Sequence, residues 1–342
     1  VEKRKTIVIG HKNPDTDSIC SAICYANLKT SITGKEYVPC RAGRINEETQ
    51  FVLNYFGVEA PELVSNVKTQ VRDIEIRETA GVDRNISLKK AWNLMQDANV
   101  VTLPAVNANN VLEGLITVGD ITKSYMNVLD SSILSKARTQ YSNIIETLEG
   151  QLVIGEESAY FDQGKVLIAA ANPDLMEYYI APHDLVILGN RYESQLCAIE
   201  MEADCIIVCE GAAVSMTIRK LAQERGCTVI TTPYDTYTAA RLINQSMPIS
   251  YFMKTEALIT FEMDDIKDVM ESKRHRDFPI LDKDGKYRGM ISRRNLLGAR
   301  GKQIVLVDHN EKNQAVDGIE NAEILEIIDH HKLGTVETIA PV

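Results

Sequence analysis

The chain has 342 residues, 44% hydrophobic and 25% charged, a balance that excludes disordered and fibrous architectures and predicts two or three domains at roughly 100–200 residues each. Its formal net charge of −11 argues against a nucleic-acid partner, because such affinity rests on Lys and Arg neutralising phosphates, but leaves room for a local basic pocket. No apolar run reaches the length of a membrane span, so no membrane partner is expected.

In chain order, residues 2–5 (EKRK) lead straight into a β-branched run, 6–10 (TIVIG), which predicts a strand rather than a secretory signal. The chain begins at Val1 rather than Met, so preceding residues are expected. After a polar loop, 11–17, a helix is predicted over 18–28, with Ile19, Ala22, Ile23 and Ala26 on one face and Asp17 as its N-cap. A strand over 37–42 and a helix over 47–56, stopped by Gly57, complete this segment. Residues 88–121 then align without gaps to residues 263–296. Ala91, Leu94 and Met95 fall on Ile266, Val269 and Met270 as one helical face, and PAVNANNVLEGLIT falls on PILDKDGKYRGMIS as a strand–turn–strand. The aligned turns 107–110 and 282–285 read as hairpin turns, although DKDG resembles the start of a calcium loop. Between the copies, strands are predicted at 165–169, 185–188, 205–209 and 228–231, and a helix at 214–225 with Arg225 in its last turn and Gly226 as its stop. Two further strands, 304–308 and 324–329, follow the second copy. Seven cysteines, an odd number without CxxC pairs, predict reduced thiols and a cytoplasmic location.

Four of the six histidines lie in the two terminal segments, each at a strand end beside acidic residues. They form His11-x-x-x-Asp15-x-Asp17, Asp308-His309 and Asp329-His330-His331. In a parallel α/β sheet the carboxyl ends of the strands converge on one edge, so the three groups predict a mixed nitrogen and oxygen metal site large enough for two ions. A single His-x-x-x-Asp is more ordinarily a cap or turn; three at strand ends outweigh that reading. Such donors suit Mn2+, Co2+ or Zn2+ better than Mg2+, and two ions bridged by a carboxylate suit hydrolysis of a phosphoric ester or anhydride. No GxxxxGK[ST] or GxGxxG is present.

HKNPDTDS (11–18), VDHNE (307–311) and DHHK (329–332) resemble the DHH phosphoesterases, most closely the manganese-dependent family II inorganic pyrophosphatases. Thr16 is the discriminating residue, since DHH exonucleases and cyclic-dinucleotide phosphodiesterases typically carry Gly there. Residues 114–120 and 289–295 resemble the ending of CBS motifs, and 231–243 (TTPYDTYTAARLI) resembles a DRTGG domain. The namesake motif is altered, with Gly189-Asn190-Arg191 for Asp-Arg and Cys209-Glu210-Gly211-Ala212 for Thr-Gly-Gly. The resemblance implies an α/β fold in which a parallel-sheet DHH catalytic domain (1–66 and 302–342) is split by an inserted regulatory region. That region comprises CBS 1 (67–125), a DRTGG-like module (126–246) and CBS 2 (247–301). It implies that His11 and Asp15 hold one metal, Asp17 and His330 the other, and Asp308 bridges them. The metals implied are Mn2+ or Co2+ at two sites, with Mg2+ accompanying the substrate, pyrophosphate. His331 and Asp308 are then catalytic, His331 contacts substrate oxygens, and Lys332 and His309 support the metals or contact phosphate.

A CBS pair further implies a nucleotide cleft, for which the candidates are Thr102, Pro104, Thr117, Asp120, Lys254, Arg276, Phe278, Ser292 and Asn295. It implies inhibition by AMP and ADP, activation by ATP or diadenosine polyphosphates, and a homodimer. In the second copy Arg276 replaces Val101 of the first, beside Lys273, Arg274 and His275. This cluster reads either as a phosphate cradle or as a solvated helix face paired with Asp264, Asp265, Asp268 and Glu271. Family members continue past DHHK with another Asp ligand and a basic C-terminal domain. The chain ends at Val342, inside the catalytic domain, and is expected to be inactive or impaired by itself. Two other classes compete: a nucleotide-binding regulatory fragment without catalysis, and a DHH phosphodiesterase acting on nucleic acid or cyclic dinucleotides.

Overall fold

Two short hydrophobic runs from opposite ends of the chain, Thr6–Ile9 and Gln303–Val307, pair in parallel, Thr6 beside Gln303 through Ile9 beside Leu306. The computed structural model describes residues 5–126, 130–256, 260–261, 269, 277–297, 299–332, 334 and 341. Val1–Ile76, Thr260–Phe278 and Ile291–Val342 form one compact unit; Arg77–Ile259 and Pro279–Met290 form the other.

In the first unit a five-stranded sheet runs in the order Glu323–Ile328, Gln303–Val307, Thr6–Ile9, Tyr37–Arg41, Glu62–Leu63, with every neighbouring pair parallel. The two central strands are largely apolar because both faces are covered: Val8, Val305 and Val307 pack with Ala22 and Ala26 of the helix Thr16–Thr33, while Ile9, Ile304 and Leu306 pack with Val67, Ala315 and Val316. From Thr6–Ile9 the chain builds outward to one side, and its last segment builds to the other. The strand order therefore reverses between Thr6–Ile9 and Gln303–Val307, the place where open α/β sheets leave a crevice at their carboxyl edge.

The helix after the first strand differs from expectation at both ends. Asp15, not Asp17, is the N-cap: its backbone is extended and its Oδ1 accepts from the Ser18 N–H at 2.9 Å, which puts Asp17 in the first turn. At the other end the helix runs on to Thr33, where the Ser31 and Thr33 hydroxyls donate to carbonyls one turn back. That last stretch is polar and carries no apolar period, the signal on which a helix prediction rests. Glu47–Phe56 forms as predicted, capped by Asn46 and ended by Gly57 in the left-handed region.

The second unit holds another five-stranded sheet, Gln151–Ile154, Thr228–Thr231, Cys205–Val208, Leu185–Leu188, Val166–Ile168, parallel except for the first. Val186, Leu188, Ile206 and Val208 face the helices Tyr192–Glu200 and Met216–Arg225. The latter starts two residues later than predicted because Ser215 takes the N-cap; Gly226 ends it as expected. Leu185, Ile187, Ile207 and Ile230 face a core shared with Ala91, Met95, Leu103 and Ile116 of the first repeat.

The repeats form the same hairpin. Strands Thr102–Val106 and Leu112–Thr117 in the first copy correspond to Asp277–Leu281 and Tyr287–Ser292 in the second. Asn107 Oδ1 accepts from the N–H of Asn109 and Val111 as Asp282 Oδ1 does from Asp284 and Lys286, so DKDG is a turn. On the helix Leu88–Asp97, Ala91 and Met95 are fully buried, but Leu94 is 37% exposed. The buried face centres on Leu88, Ala91 and Met95, and Leu94 sits on its rim. The matching helical face in the second copy lies outside the described residues, apart from buried Val269. Gly114 lets two segments meet: Leu115 exchanges backbone hydrogen bonds with Lys254 at 2.9 and 2.8 Å, and a Cβ on Gly114 would sit 2.8 Å from the Lys254 carbonyl oxygen. Gly114→Ala is expected to destabilise this unit by about 1–3 kcal/mol, read as a lower urea midpoint.

Candidate metal centre

The crevice at the carboxyl edge of the first sheet receives three strand ends. Thr6–Ile9 delivers His11, and the start of the following helix delivers Asp15 and Asp17. Gln303–Val307 delivers Asp308, His309 and Asn310; Glu323–Ile328 delivers Asp329, His330 and His331. Asp308 is the most buried of the five candidate ligands, 6% exposed, with φ at +59° and its N–H donating to the Ile328 carbonyl at 2.8 Å. That left-handed backbone is unusual for a residue other than glycine and concentrates at functional sites.

The two carboxylate oxygens of Asp308 face different partners. Oδ2 is 3.4 Å from His11 Nε2, which is itself 3.9 Å from Asp15 Oδ1. Oδ1 is 3.8 Å from Nδ1 of both His330 and His331, and His330 Nδ1 is 4.0 Å from Asp17 Oδ2. Donors that bind one divalent cation at about 2.0–2.2 Å sit roughly 3–4 Å apart, so these spacings fit the residue types. All five candidate ligands converge, His11 with Asp15 on one side and His330 with Asp17 on the other. Electrostatics point the same way: burial first, then the charges of Asp17 and Asp15, raises the Asp308 carboxyl above its ordinary range, a crowding that a cation relieves.

His331 is oriented from behind, its Nδ1 2.7 Å from Asp329 Oδ1, and this hydrogen bond raises its pKa. Burial alone would raise Asp329, but hydrogen bonds from His331 and Asn310 hold its carboxyl below the usual range. His309 is 1% exposed, lies edge-on to His11 at 6.3 Å between ring centres, and offers no surface to a phosphate. Its Nδ1–H donates to the Val307 carbonyl oxygen at 2.9 Å, and burial lowers its pKa, which favours the neutral ring. Lys332 is exposed and, with His11, Asp308 and His331, lines a cleft of about 570 Å³. Asn310, which residue spacing does not single out, is buried and bonded to Asp329; its only signal in the sequence is its place directly after Asp308-His309.

Of the nucleotide candidates, Thr117, Asp120 and Lys254 come together. Asp120 Oδ2 accepts from the Thr117 hydroxyl at 2.6 Å, and its Oδ1 is 3.5 Å from Lys254 Nζ. Ser292 and Asn295 repeat the hydroxyl-to-side-chain bond at 2.5 Å. Thr102 and Pro104 are buried in their strand, and Phe278 is a core residue with no exposed surface. Arg276 and its cationic neighbours 273–275 lie outside the described residues. Among the described residues no helix is long and apolar enough to cross a membrane.

Residues 71–127 and 252–302 match the CBS domain family, and residues 143–246 match the DRTGG domain family. The chain is 41% identical, over 98% of its length and 62% of the relative's, to a cobalt-dependent inorganic pyrophosphatase of Clostridium perfringens. It is 33% identical, over 99% of its length and 62% of the relative's, to a probable manganese-dependent inorganic pyrophosphatase of Thermotoga maritima. The chain thus spans 62% of the length of these two relatives. A crystal structure of the CBS and DRTGG domains of the regulatory region of the Clostridium perfringens pyrophosphatase, complexed with the activator diadenosine tetraphosphate, superposes with a TM-score of 0.63 at 37% identity. That likeness covers 66% of this chain and 100% of the solved one.

Proposed function

Because this chain belongs to the family of metal-dependent inorganic pyrophosphatases that carry CBS and DRTGG domains, we propose that it hydrolyses pyrophosphate to two phosphates at the Asp308 crevice, under the control of adenine nucleotides. The observation that carries this reading is the pair of Asp308 oxygens turned toward His11 and His330. His11 and Asp15 would hold one ion and Asp17 and His330 the other, with Asp308 shared; the names of the relatives favour Co2+ or Mn2+, with Mg2+ accompanying the substrate. Two such ions, when bound, offset phosphoryl charge and acidify a water. The side chains do the rest. His331, whose pKa the hydrogen bond to Asp329 raises, donates to the charge that develops on the departing phosphate, and Lys332 adds a second cation at the cleft. His309 packs beneath His11 and keeps its ring in place.

Regulation follows from the split domain. The metal-binding residues come from both sides of the insert, so AMP, ADP, ATP or a diadenosine polyphosphate bound at the CBS pair would change their spacing by favouring one of two arrangements, a coupling of roughly 1–3 kcal/mol. The bond of Asp120 to Thr117 and its pairing with Lys254 support this reading, since a ribose hydroxyl would compete for Thr117 and a phosphate for Lys254. A cytoplasmic homodimer completes the reading.

The test is phosphate release from pyrophosphate with Mn2+ or Co2+, with and without AMP and diadenosine tetraphosphate. Turnover lost to chelator, lowered by AMP and raised by the tetraphosphate is expected of a protein that spans the full length of the relatives, and little or none of this chain by itself. Rates indifferent to AMP sink the regulatory part. Faster hydrolysis of short oligonucleotides or cyclic dinucleotides than of pyrophosphate would make the chain a DHH phosphodiesterase instead.

A further inference from the structure

Asn310 is 4% exposed, and its carboxamide serves a single loop. Nδ2 donates to Asp329 Oδ2 and to the Lys332 carbonyl at 3.1 Å, while Oδ1 accepts from the Gly334 N–H. The packing is close: a Cβ on Gly334 would lie 2.5 Å from Asn310 Oδ1. Asp329, whose side chain is 2% exposed, is occupied on both oxygens. Oδ2 takes Asn310; Oδ1 takes the His331 N–H at 3.1 Å and His331 Nδ1 at 2.7 Å. By distance Asp329 belongs to a donor cluster with Asp308, His330 and His331. Three of its roughly four acceptor positions are nevertheless filled by protein donors, which suits a carboxylate that orients a neighbour rather than one that holds an ion.

Resting on the pyrophosphatase reading above, we propose that Asn310 and Asp329 are positioning residues, a brace in which Asn310 fixes Asp329 and Asp329 fixes the His331 ring through Nδ1. His331 Nε2 is then the atom that meets the substrate, and the same Asn310 amide sets the Lys332 backbone beside it. The brace joins the loops after two neighbouring strands, so His331 and Lys332 move as one body with Asp308. Partners of this kind, one step removed from the reacting groups, are typically worth about 10–100-fold in activity.

Three variants test this: Asn310→Ala, Asp329→Asn, and the exchange Asn310→Asp with Asp329→Asn. All three are expected to bind Mn2+ with wild-type stoichiometry in calorimetric titration, because neither side chain is a ligand. Asn310→Ala should lower kcat for pyrophosphate by about 10–100-fold, with a smaller change in KM. The exchange restores an amide–carboxylate bond between the two positions but leaves an amide against His331. It should therefore recover part of the melting temperature lost in Asn310→Ala, the bond to the Lys332 carbonyl remaining absent, without recovering kcat. Activity that returns together with stability overturns the brace, since the pair would then be only a loop tie. Loss of a bound Mn2+ in Asp329→Asn overturns it as well, by making Asp329 a ligand. A readout independent of turnover is the His331 Nδ1–H signal in long-range proton–nitrogen spectra, identified by its loss in His331→Gln. It is expected in the wild type and displaced in Asp329→Asn. If the wild type ignores pyrophosphate but this signal behaves as expected, the substrate reading fails and the brace stands. If the signal is unmoved in Asp329→Asn, the brace fails whatever the activity.

Discussion

Asp308→Asn is expected to lower pyrophosphate hydrolysis by at least about 100–1,000-fold and to remove tight Mn2+ binding, and at the same time to raise the melting temperature of the metal-free protein. The two effects have one cause. Asp308 is 6% exposed and stands among Asp15 and Asp17, so in the absence of a cation its charge is both desolvated and repelled. An amide of the same shape removes that penalty but can no longer serve His11 and His330 at once. The sign of the pH dependence follows from linkage. The native carboxyl titrates above its unfolded value, so the folded state holds the proton longer. The contribution of Asp308 to metal-free stability is then greatest at low pH, falls as pH rises from about 4, the ordinary carboxylate value, through the raised native value, and is level above it. The variant should lack this fall. Thermal melts across pH, with chelator and with Mn2+, check all three points. A variant that keeps Mn2+ affinity, or melts lower than wild type without metal, removes Asp308 from the centre of the site.

Gly43→Ala is expected to weaken Mn2+ binding by about tenfold or more, in the 10–100-fold range of changes that disturb ligands from behind, although Gly43 touches no candidate ligand. A Cβ there would fall 2.0 Å from the Lys12 carbonyl oxygen and 2.7 Å from Pro14 Cδ. The first of these atoms is backbone and cannot rotate away, so the loop that carries His11 and Asp15 must move. Overpacking of this kind costs about 1–3 kcal/mol, and the movement displaces one half of the ligand set. The loop is otherwise held by the Lys12 N–H donating to the Gln314 carbonyl at 2.8 Å and by the Lys12–Asp317 ion pair at 2.8 Å. Calorimetric Mn2+ titration with a parallel melt distinguishes the outcomes. A variant that melts lower but binds Mn2+ normally would mean that the strain is absorbed on the Gly43 side.

Elements with complete local signals were legible in the residues. Leu185–Leu188 and Thr228–Thr231 are apolar or β-branched runs with clear ends, and Glu47–Phe56 has a helical period and a glycine stop. The duplicated hairpin is legible because each copy opens its turn with an Asn or Asp, Asn107 and Asp282, between two apolar strands. Where two residues offered the same local signal, the neighbourhood chose between them. Asp15 and Asp17 are both good caps, and the geometry of the loop against Gly43 and Gln314 settles the cap on Asp15. Leu94 fits the apolar period of its helix yet lies at the rim, because the width of the buried face depends on what packs there. On the helix Thr16–Thr33, Tyr25 and Lys29 both bond Glu326, a partner that nothing local could supply.

Residue types and their spacing set out the chemistry available to this protein: three clusters of histidine and aspartate, each at the end of a strand-forming run. How that chemistry is assembled depends on the fold. It put the first strand beside one from the far end of the chain, reversed the strand order at that seam, and turned the two oxygens of Asp308 toward opposite histidines. It also committed Asp329 to Asn310 and His331. The reason is physical. Residue type and spacing fix which atoms donate and which strands form, but the direction of a carboxylate is set by backbone torsions and neighbours that meet only when segments hundreds of residues apart share one sheet.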